Sequence, residues 1–490
     1  MSAIVERFER IRRDTPGRPL IHLPLARTTL TAEMLSEAAA HQRRMLEGRG
    51  VGADGLVIYA AGNKPDIFAL WLACRSLGAA LLPVDASTTV REIGALAQRF
   101  SATVSVLSET MDGVSDLGDP QPYTAGLVAV TPRQAPASAA HRGAAVLKLT
   151  SGSTGLPKAT FTTEDQLVHD AAHIMTAMDI RPGDCQIAAI PLSHAYGIGN
   201  LLLPLLLEGT RLVLREGFVP HQLHADAVGY GARVFPGVPF MFDHFNDHLA
   251  PGAWPPGLEV LISAGARLDA ATVRSFYSSF GVKIHSFYGA SETGGITYDD
   301  DPEVIDPPTV GRAMPGVTIT LRPEDGMTGP GGRVHVAGEA VASGYVGEPD
   351  DSFTGGGFLT GDFGHLTPRG HLVLTGRISA FINVAGRKVL PQEVEDVLRT
   401  MPGVVDARVV GAPDPARGQR IVACLVANGD GPDVLSVRQF CASRLAPYKI
   451  PRTVVALDRI PLTERGKTDQ RRLEEIVEQR LRQVPGTGVL

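Results

Sequence analysis

A chain of 490 residues, 44% of them hydrophobic, has enough apolar content for two or three packed domains. A formal net charge of −6, with basic residues spread out apart from a modest cluster at Arg465, Lys467, Arg471 and Arg472, argues against a dedicated nucleic-acid or membrane-surface binder. The four cysteines, Cys74, Cys185, Cys424 and Cys441, are scattered and form no CxxC pair, so the expectation is reduced thiols in a cytoplasmic protein, not a disulfide framework or a zinc site.

In chain order, the opening MSAIVERFERIRRDTPG mixes acids and bases without an apolar core, so no signal peptide is expected. Leu56-Val-Ile-Tyr-Ala60 predicts a short buried strand. Asn63-Lys64-Pro65 then signals helix entry, and Ile67, Leu70, Trp71, Cys74 and Leu77 recur at helical spacing. Ala79–Val84 predicts the next strand. Strand, helix and strand at this spacing imply parallel βαβ units and an α/β architecture continuing to about residue 300. The apolar stretch GIGNLLLPLLLEG (197–209) is too short to span a bilayer and contains Pro204, so it reads as buried core; no membrane insertion is expected.

From 300 to 375 the texture turns to Gly, Pro and Asp with short β-type runs such as Arg333–Ala337 and His371–Leu374, which predicts a small β-rich subdomain. Beyond 379 a compact α+β unit is expected. Its first helix opens at Pro391 with Val394, Val397, Leu398 and Met401 on one face, a strand covers Ala407–Val410, and a closing helix carries Leu473, Ile476, Val477 and Leu481. The boundary is placed near residues 376–380, giving a large domain over 1–378 and a small one over 379–490.

Several stretches carry chemistry. Leu149-Thr-Ser-Gly-Ser-Thr-Gly-Leu-Pro-Lys-Ala-Thr160 follows an apolar run and is rich in hydroxyls and glycine, so it can aim backbone N–H groups and hydroxyls at a phosphate, with Lys158 adding positive charge. It is not a Walker A loop, and its bland alternative is a flexible surface linker. Ser286-Phe-Tyr-Gly-Ala-Ser-Glu-Thr-Gly-Gly295 joins an aromatic ring, a hydroxyl and a carboxylate around a tight turn, the types that a stacked base, a phosphate and Mg²⁺ require. Asp362, in Gly357-Phe-Leu-Thr-Gly-Asp362, suits the two hydroxyls of a ribose, and Thr375-Gly-Arg377 brings a guanidinium. Pro461-Leu-Thr-Glu-Arg-Gly-Lys467 ends in a lysine on a glycine turn. Singly, each of these is what a solvated loop often carries.

In this order, and with Ile190–Gly197, Ser263–Ala266, Val310–Val317, Ile382–Lys388, Pro391–Glu395 and Leu445–Arg452, the chain resembles the adenylate-forming superfamily over roughly residues 50–475. That superfamily includes acyl-CoA synthetases, aryl-CoA ligases, stand-alone adenylation domains and luciferases. The resemblance implies an α/β fold: a large N-terminal domain of α/β layers with a β-rich subdomain, plus a small mobile α+β C-terminal domain. It also implies that a carboxylate attacks the α-phosphate of ATP, giving an acyl-AMP that a thiol then takes up.

By the same resemblance, Thr150, Ser151, Gly152, Ser153, Thr154, Gly155 and Lys158 cover the β- and γ-phosphates. Glu292 helps hold Mg²⁺, while Ser291, beside Gly289, meets the α-phosphate. Tyr288 stacks on adenine opposite Gly265 and Ala266. Asp362, assisted by Arg377, binds the ribose. Lys467 bridges carboxylate and phosphate, and His194 stands beside the acyl pocket. The C-terminal domain then turns about Ser379, removing Lys467 and bringing Gly386 to a thiol tunnel. Ser379 stands where the family commonly has Asp or Lys, Ser291 where Thr is commoner, and Gln470 where Arg is frequent.

Amino-acid-activating relatives usually hold the α-ammonium with an Asp near the His194 region, and Pro191–Ile198 offers none. A fatty, short- or medium-chain, or aryl acid is therefore expected, with Asp243 as the nearby carboxylate that could overturn this. The thiol is expected to be CoA, or alternatively the phosphopantetheine of an acyl carrier protein, with Arg387, Lys388, Arg417, Arg420 and Lys449 able to serve either. A third alternative is a catalytically silent adenylate-binding protein. Oligomeric state is not legible.

Overall fold

The computed structural model describes residues 2–132, 140–150, 157–304, 309–323, 331–378, 382–384, 387–414, 418–429, 431–462 and 468–483. Two compact units are present: Met1–Ile319 with Val336–Phe358, and Thr320–His335 with Leu359–Leu490. These limits differ from a division at 378/379, which remains a proposal.

In the first unit, Leu56–Ala60 is buried at all five positions. It lies parallel to Ala80–Pro83 on one side and Val104–Ser108 on the other, and Val146–Thr150 extends the parallel set beyond Ala80–Pro83. Strands covered on both faces read as continuous apolar runs, which is why this one shows no alternation. A second parallel set runs Ile284–Ala290, Val260–Ser263, Val234–Gly237, Cys185–Ala188, Arg211–Leu214 and Pro19–Leu23. Helix Asp66–Leu77 is buried continuously from Ile67 to Cys74, where the sequence is apolar all round, with Asp66 and Arg75 at its ends. The apolar stretch at 197–209 forms short consecutive helical turns, Ala195–Gly197, Ile198–Leu202 and Leu203–Glu208, with Leu201–Leu207 buried, as expected.

Asn63 does something the sequence reading missed. It does not cap the helix, whose N-cap is Pro65 without a side-chain bond. Buried, it donates to the Ile190 carbonyl (3.0 Å) and accepts from the Leu192 amide (2.8 Å). The residues following Leu56–Ala60 are thereby stitched to those following Cys185–Ala188.

The expected β-rich stretch is present, with Thr318–Arg322, Gly332–Ala337, Gly357–Leu366 and Leu372–Arg377 as strands of one five-stranded sheet. In the second unit, helix Pro391–Arg399 buries Val394 and Leu398 against Val409, Ile421 and Leu425. Strand Val404–Asp414 pairs antiparallel with Gly418–Ala427, and Val410 and Val422 face the other way, onto Leu473 and Val477 of helix Gln470–Gln483. The two-residue period of the strand thus serves a different helix on each face. The four cysteines are free and buried.

Candidate active site

The candidate residues of the first unit gather where parallel strands end, the usual location of a ligand crevice in an open α/β sheet. Ser263 and Ser286 are register partners on neighbouring parallel strands. Two residues beyond this pair come Gly265, past the end of its strand, and Tyr288, still on its own, so the candidate stacking ring and the candidate opposing turn both follow from paired positions. Tyr288 is half-buried, whereas Gly265, Ala266 and Gly289 are exposed.

Strand Ile284–Ala290 folds back as an antiparallel hairpin with Gly294–Tyr298, pairing Ala290 with Gly294, and Ser291 and Glu292 occupy its tip. Three anchors hold that tip. The Thr293 amide donates to the Ala290 carbonyl, and the Ala342 amide donates to the Glu292 carbonyl at 2.8 Å. The Tyr345 hydroxyl donates to Glu292 Oε1 at 2.7 Å.

Tyr345 also links Glu292 to the stem of the hydroxyl-rich segment. Strand Val146–Thr150 leads into that segment and the antiparallel strand Lys158–Thr162 leads out, with Thr150 paired to Lys158. Gly344–Tyr345 pairs antiparallel with Thr160–Phe161, and the Lys158 ammonium lies 4.9 Å from the centre of the Tyr345 ring. Lys158 donates to Asp350 Oδ2 at 2.7 Å, and this bond holds the ammonium above its ordinary pKa. Burial lifts the Tyr345 hydroxyl well above its usual range, with the Glu292 charge next, so it stays a proton donor. Glu292, Tyr345, Lys158 and Asp350 therefore form one connected polar group. Ser151, Gly152, Ser153, Thr154 and Gly155 lie outside the described residues.

Behind the hairpin are two buried ionisable groups, Lys148 and Asp170, absent from the sequence reading. Asp170, on helix Glu164–Ala177, accepts the Gly295 amide at 2.8 Å. Gly294 has φ +70°, and a Cβ there would lie 2.2 Å from Asp170 Oδ1, so glycine is required. Lys148 is also buried and is the strongest charge acting on Asp170; burial pushes the carboxyl up and the ammonium down. Lys148 feels Glu292 as well. A lysine inside an otherwise apolar strand was the signal available in the sequence.

His194 follows strand Cys185–Ala188, and its Nε2 lies 3.2 Å from Asp85 Oδ2. Asp85 follows strand Ala80–Pro83, so this pair is a second tie between the two parallel sets; the other Asp85 oxygen accepts from the amide and hydroxyl of Ser87. Asp243 sits exposed on helix Pro239–His248 and accepts from the Thr272 hydroxyl at 2.7 Å.

In the second unit, Asp362 and Arg377 are register partners on adjacent antiparallel strands. The guanidinium grips the buried carboxylate through Nε at 2.5 Å and Nη2 at 3.4 Å. Lys449 is held by Glu393 at 2.6 Å. Lys467, Ser379, Gly386 and Arg417 lie outside the described residues, as do the side chains of Arg387 and Lys388. Among the described residues no helix is long and apolar enough to cross a membrane.

A family model described as AMP-binding enzyme matches residues 8–346, and one described as AMP-binding enzyme C-terminal domain matches residues 393–467. The chain is 30% identical over 382 residues to sulfoacetate–CoA ligase of Cupriavidus necator, covering 76% of this chain and 71% of that one. It is 27% identical over 474 residues to 2-succinylbenzoate–CoA ligase of Geobacillus kaustophilus, covering 94% and 96%. Among solved structures, ATP-bound MatB from Rhodopseudomonas palustris is similar with a TM-score of 0.83 at 25% identity, covering 98% of this chain and 99% of that one.

Proposed function

We infer the division of labour among these residues from one premise: the chain belongs to the AMP-binding enzyme family and is an AMP-forming acid–CoA ligase. ATP activates a carboxylic acid, and CoA accepts the acyl group. In the first step a carboxylate oxygen bonds to the α-phosphorus of ATP and pyrophosphate leaves. In the second, the thiol sulfur bonds to the acyl carbon and AMP leaves. Both steps bring anions together, so neutralising and positioning charge matters more than proton transfer.

The observation that carries the residue assignment is the Glu292–Tyr345–Lys158–Asp350 group at the stem of the 151–155 segment. Thr150 to Gly155 and Lys158 hold the pyrophosphate end of ATP. Lys158 reaches it by exchanging Asp350 for a phosphate oxygen. A partly exposed ion pair contributes about 0–1 kcal/mol, so the exchange is inexpensive against a polyanion. Glu292 fits Mg²⁺: one carboxylate oxygen is steadied by Tyr345, and Mg²⁺ is usually held by one or two carboxylates together with substrate phosphates. The ion supplies charge neutralisation at the phosphates.

Ser291 donates to the α-phosphate and Tyr288 stacks on adenine against Gly265–Ala266. Asp362 accepts the ribose hydroxyls; an ionised carboxylate offers about four lone-pair sites, so the Arg377 grip leaves room for them. Lys467 bridges the two reacting anions. His194, oriented by Asp85, borders the acyl pocket. Residues 379–490 form the mobile domain, pivoting at Ser379 so that Gly386 lines the path of the thiol. The acid is one without a free α-amine, since Pro191–Ile198 provides no carboxylate, Asp85 faces His194 and Ser87, and Asp243 is tied to Thr272.

Pyrophosphate release over a panel of fatty, short-chain, aryl and amino acids, each with and without CoA or a phosphopantetheinylated carrier protein, tests this reading. Release with a non-amino acid, and thioester formed with CoA, is expected. Thioester on the carrier protein alone moves the assignment to carrier loading. Absence of release with every acid tested, alongside intact AMP binding, favours a silent adenylate-binding protein.

A further inference from the structure

Helix Glu164–Ala177 carries His169 and His173 one turn apart, so both imidazoles lie on the same face. Glu339 comes to that face from the turn after strand Gly332–Ala337. His169 Nδ1 lies 2.7 Å from Glu339 Oε2, and one ligand atom from each of His169, His173 and Glu339 falls within 4.8 Å of the other two.

Close backbone packing fixes this arrangement. A Cβ on Gly316 would lie 2.4 Å from His173 Nε2, and a Cβ on Gly338 would lie 2.8 Å from the Gly316 carbonyl oxygen. The His173 ring therefore rests directly on the Gly316 backbone, which rests on Gly338, the neighbour of Glu339. His173 Nδ1 is buried and has no hydrogen-bond partner among the described residues. A buried polar atom without a partner, on an imidazole that clusters with a second imidazole and a carboxylate, is what a missing ligand leaves behind.

We propose that His169, His173 and Glu339 form a binding site for a first-row transition-metal dication, with zinc as the ion its donor set suits best. Two imidazoles and one carboxylate, with water completing the shell, are a standard zinc set; Mg²⁺ prefers all-oxygen shells and is a poor competitor. The expectation of no zinc site rested on the cysteines, all four of which are buried, and this donor set uses none of them. The role is structural. The metal clamps the helix whose Asp170 holds the Gly295 amide to the turn that leads to Ala342, whose amide holds the Glu292 carbonyl. Both ends of the Glu292 hairpin tip are thereby braced from one point, separate from the Mg²⁺ at Glu292.

The test uses the untagged full chain, stripped with a chelator and dialysed, and titrated with Zn²⁺ and with Co²⁺ in millimolar Mg²⁺. Calorimetry should show one equivalent of Zn²⁺ bound at micromolar affinity or tighter, and Co²⁺ should give visible absorption bands of a low-coordinate nitrogen–oxygen site. The thermal midpoint should rise with Zn²⁺. Glu339→Gln, at an exposed position where folding is not at risk, should weaken binding at least about ten-fold, and His169→Ala/His173→Ala should abolish both binding and the thermal shift. Equal Zn²⁺ uptake by wild type and the double variant, displacement by millimolar Mg²⁺, or no uptake at tens of micromolar Zn²⁺ would each overturn the proposal.

Discussion

Tyr345→Phe deletes one oxygen atom and tests the core of the site. The ring stays, keeping its position beneath Lys158 and its edge-on packing against Phe353 at 5.3 Å. What is lost is the 2.7 Å O–H···O⁻ bond to Glu292. A hydrogen bond to a charged acceptor contributes about 1.5–3 kcal/mol, and at a half-buried site the lower end applies. Since about 1.4 kcal/mol is a factor of ten, adenylation should slow roughly ten-fold. Pyrophosphate release at saturating acid, followed across Mg²⁺ and ATP concentrations, is the assay. The deficit should be largest at low Mg²⁺, because a loosened carboxylate holds the ion less well. Tyr345→Leu, which removes the ring too, should be worse. If Tyr345→Phe stays within two-fold of wild type at every Mg²⁺ concentration, Glu292 is not positioned by Tyr345 and the connected group is only structural.

Lys467→Ala should cripple adenylation yet leave thioester formation from supplied acyl-AMP nearly intact; an equal fall in both half-reactions would remove the domain-alternation assignment. Asp362→Asn should weaken nucleotide binding by about ten-fold, read by AMP titration, since a charged acceptor is lost; unchanged affinity would take Asp362 out of the ribose role. Asp170→Asn removes the strongest charge favouring the buried Lys148 ammonium and should lower the thermal midpoint, whereas Lys148→Met/Asp170→Asn should recover part of the loss. Additive thermal losses in that cycle would mean the two charges do not compensate each other. Asp350 is held below the ordinary carboxylate range: burial raises it, and the hydrogen bonds from Lys158 and Ser352 outweigh that. Its folded pKa lies below the unfolded one, so the native state binds fewer protons in that window. The stabilisation is complete above the unfolded value of about 3.9 and is lost as pH falls through the folded value. The thermal midpoint should therefore drop below about pH 4, less steeply in Asp350→Asn, and parallel acid profiles would refute the assignment.

The sequence by itself determined the local elements and, through the order of its motifs along the chain, the family resemblance that implies the reaction. Leu56–Ala60 shows its two-sided burial as an unbroken apolar run. The helix at Pro391 shows its buried face by spacing. Tyr288, Glu292 and Asp362 each sit in a short motif whose residue types match the chemistry of a nucleotide. Such information is local, because strand, helix and turn preferences act over a few neighbouring residues.

Other features required contacts between residues far apart in the chain. Asn63 reads as a helix-entry residue and is instead a buried cross-link to Ile190 and Leu192. Tyr345 and Asp350 carry no motif of their own, and they matter because strand pairing sets Gly344–Tyr345 beside Thr160–Phe161. Lys148 looks like an interruption in an apolar strand until helix Glu164–Ala177 brings Asp170 to it. His169, His173 and Glu339 acquire meaning only because Gly316 and Gly338 let two backbones approach closely. Propensity and periodicity fix what a segment becomes. Which charges meet is decided by packing, because a buried lysine or carboxylate is tolerated only where the folded chain delivers its partner.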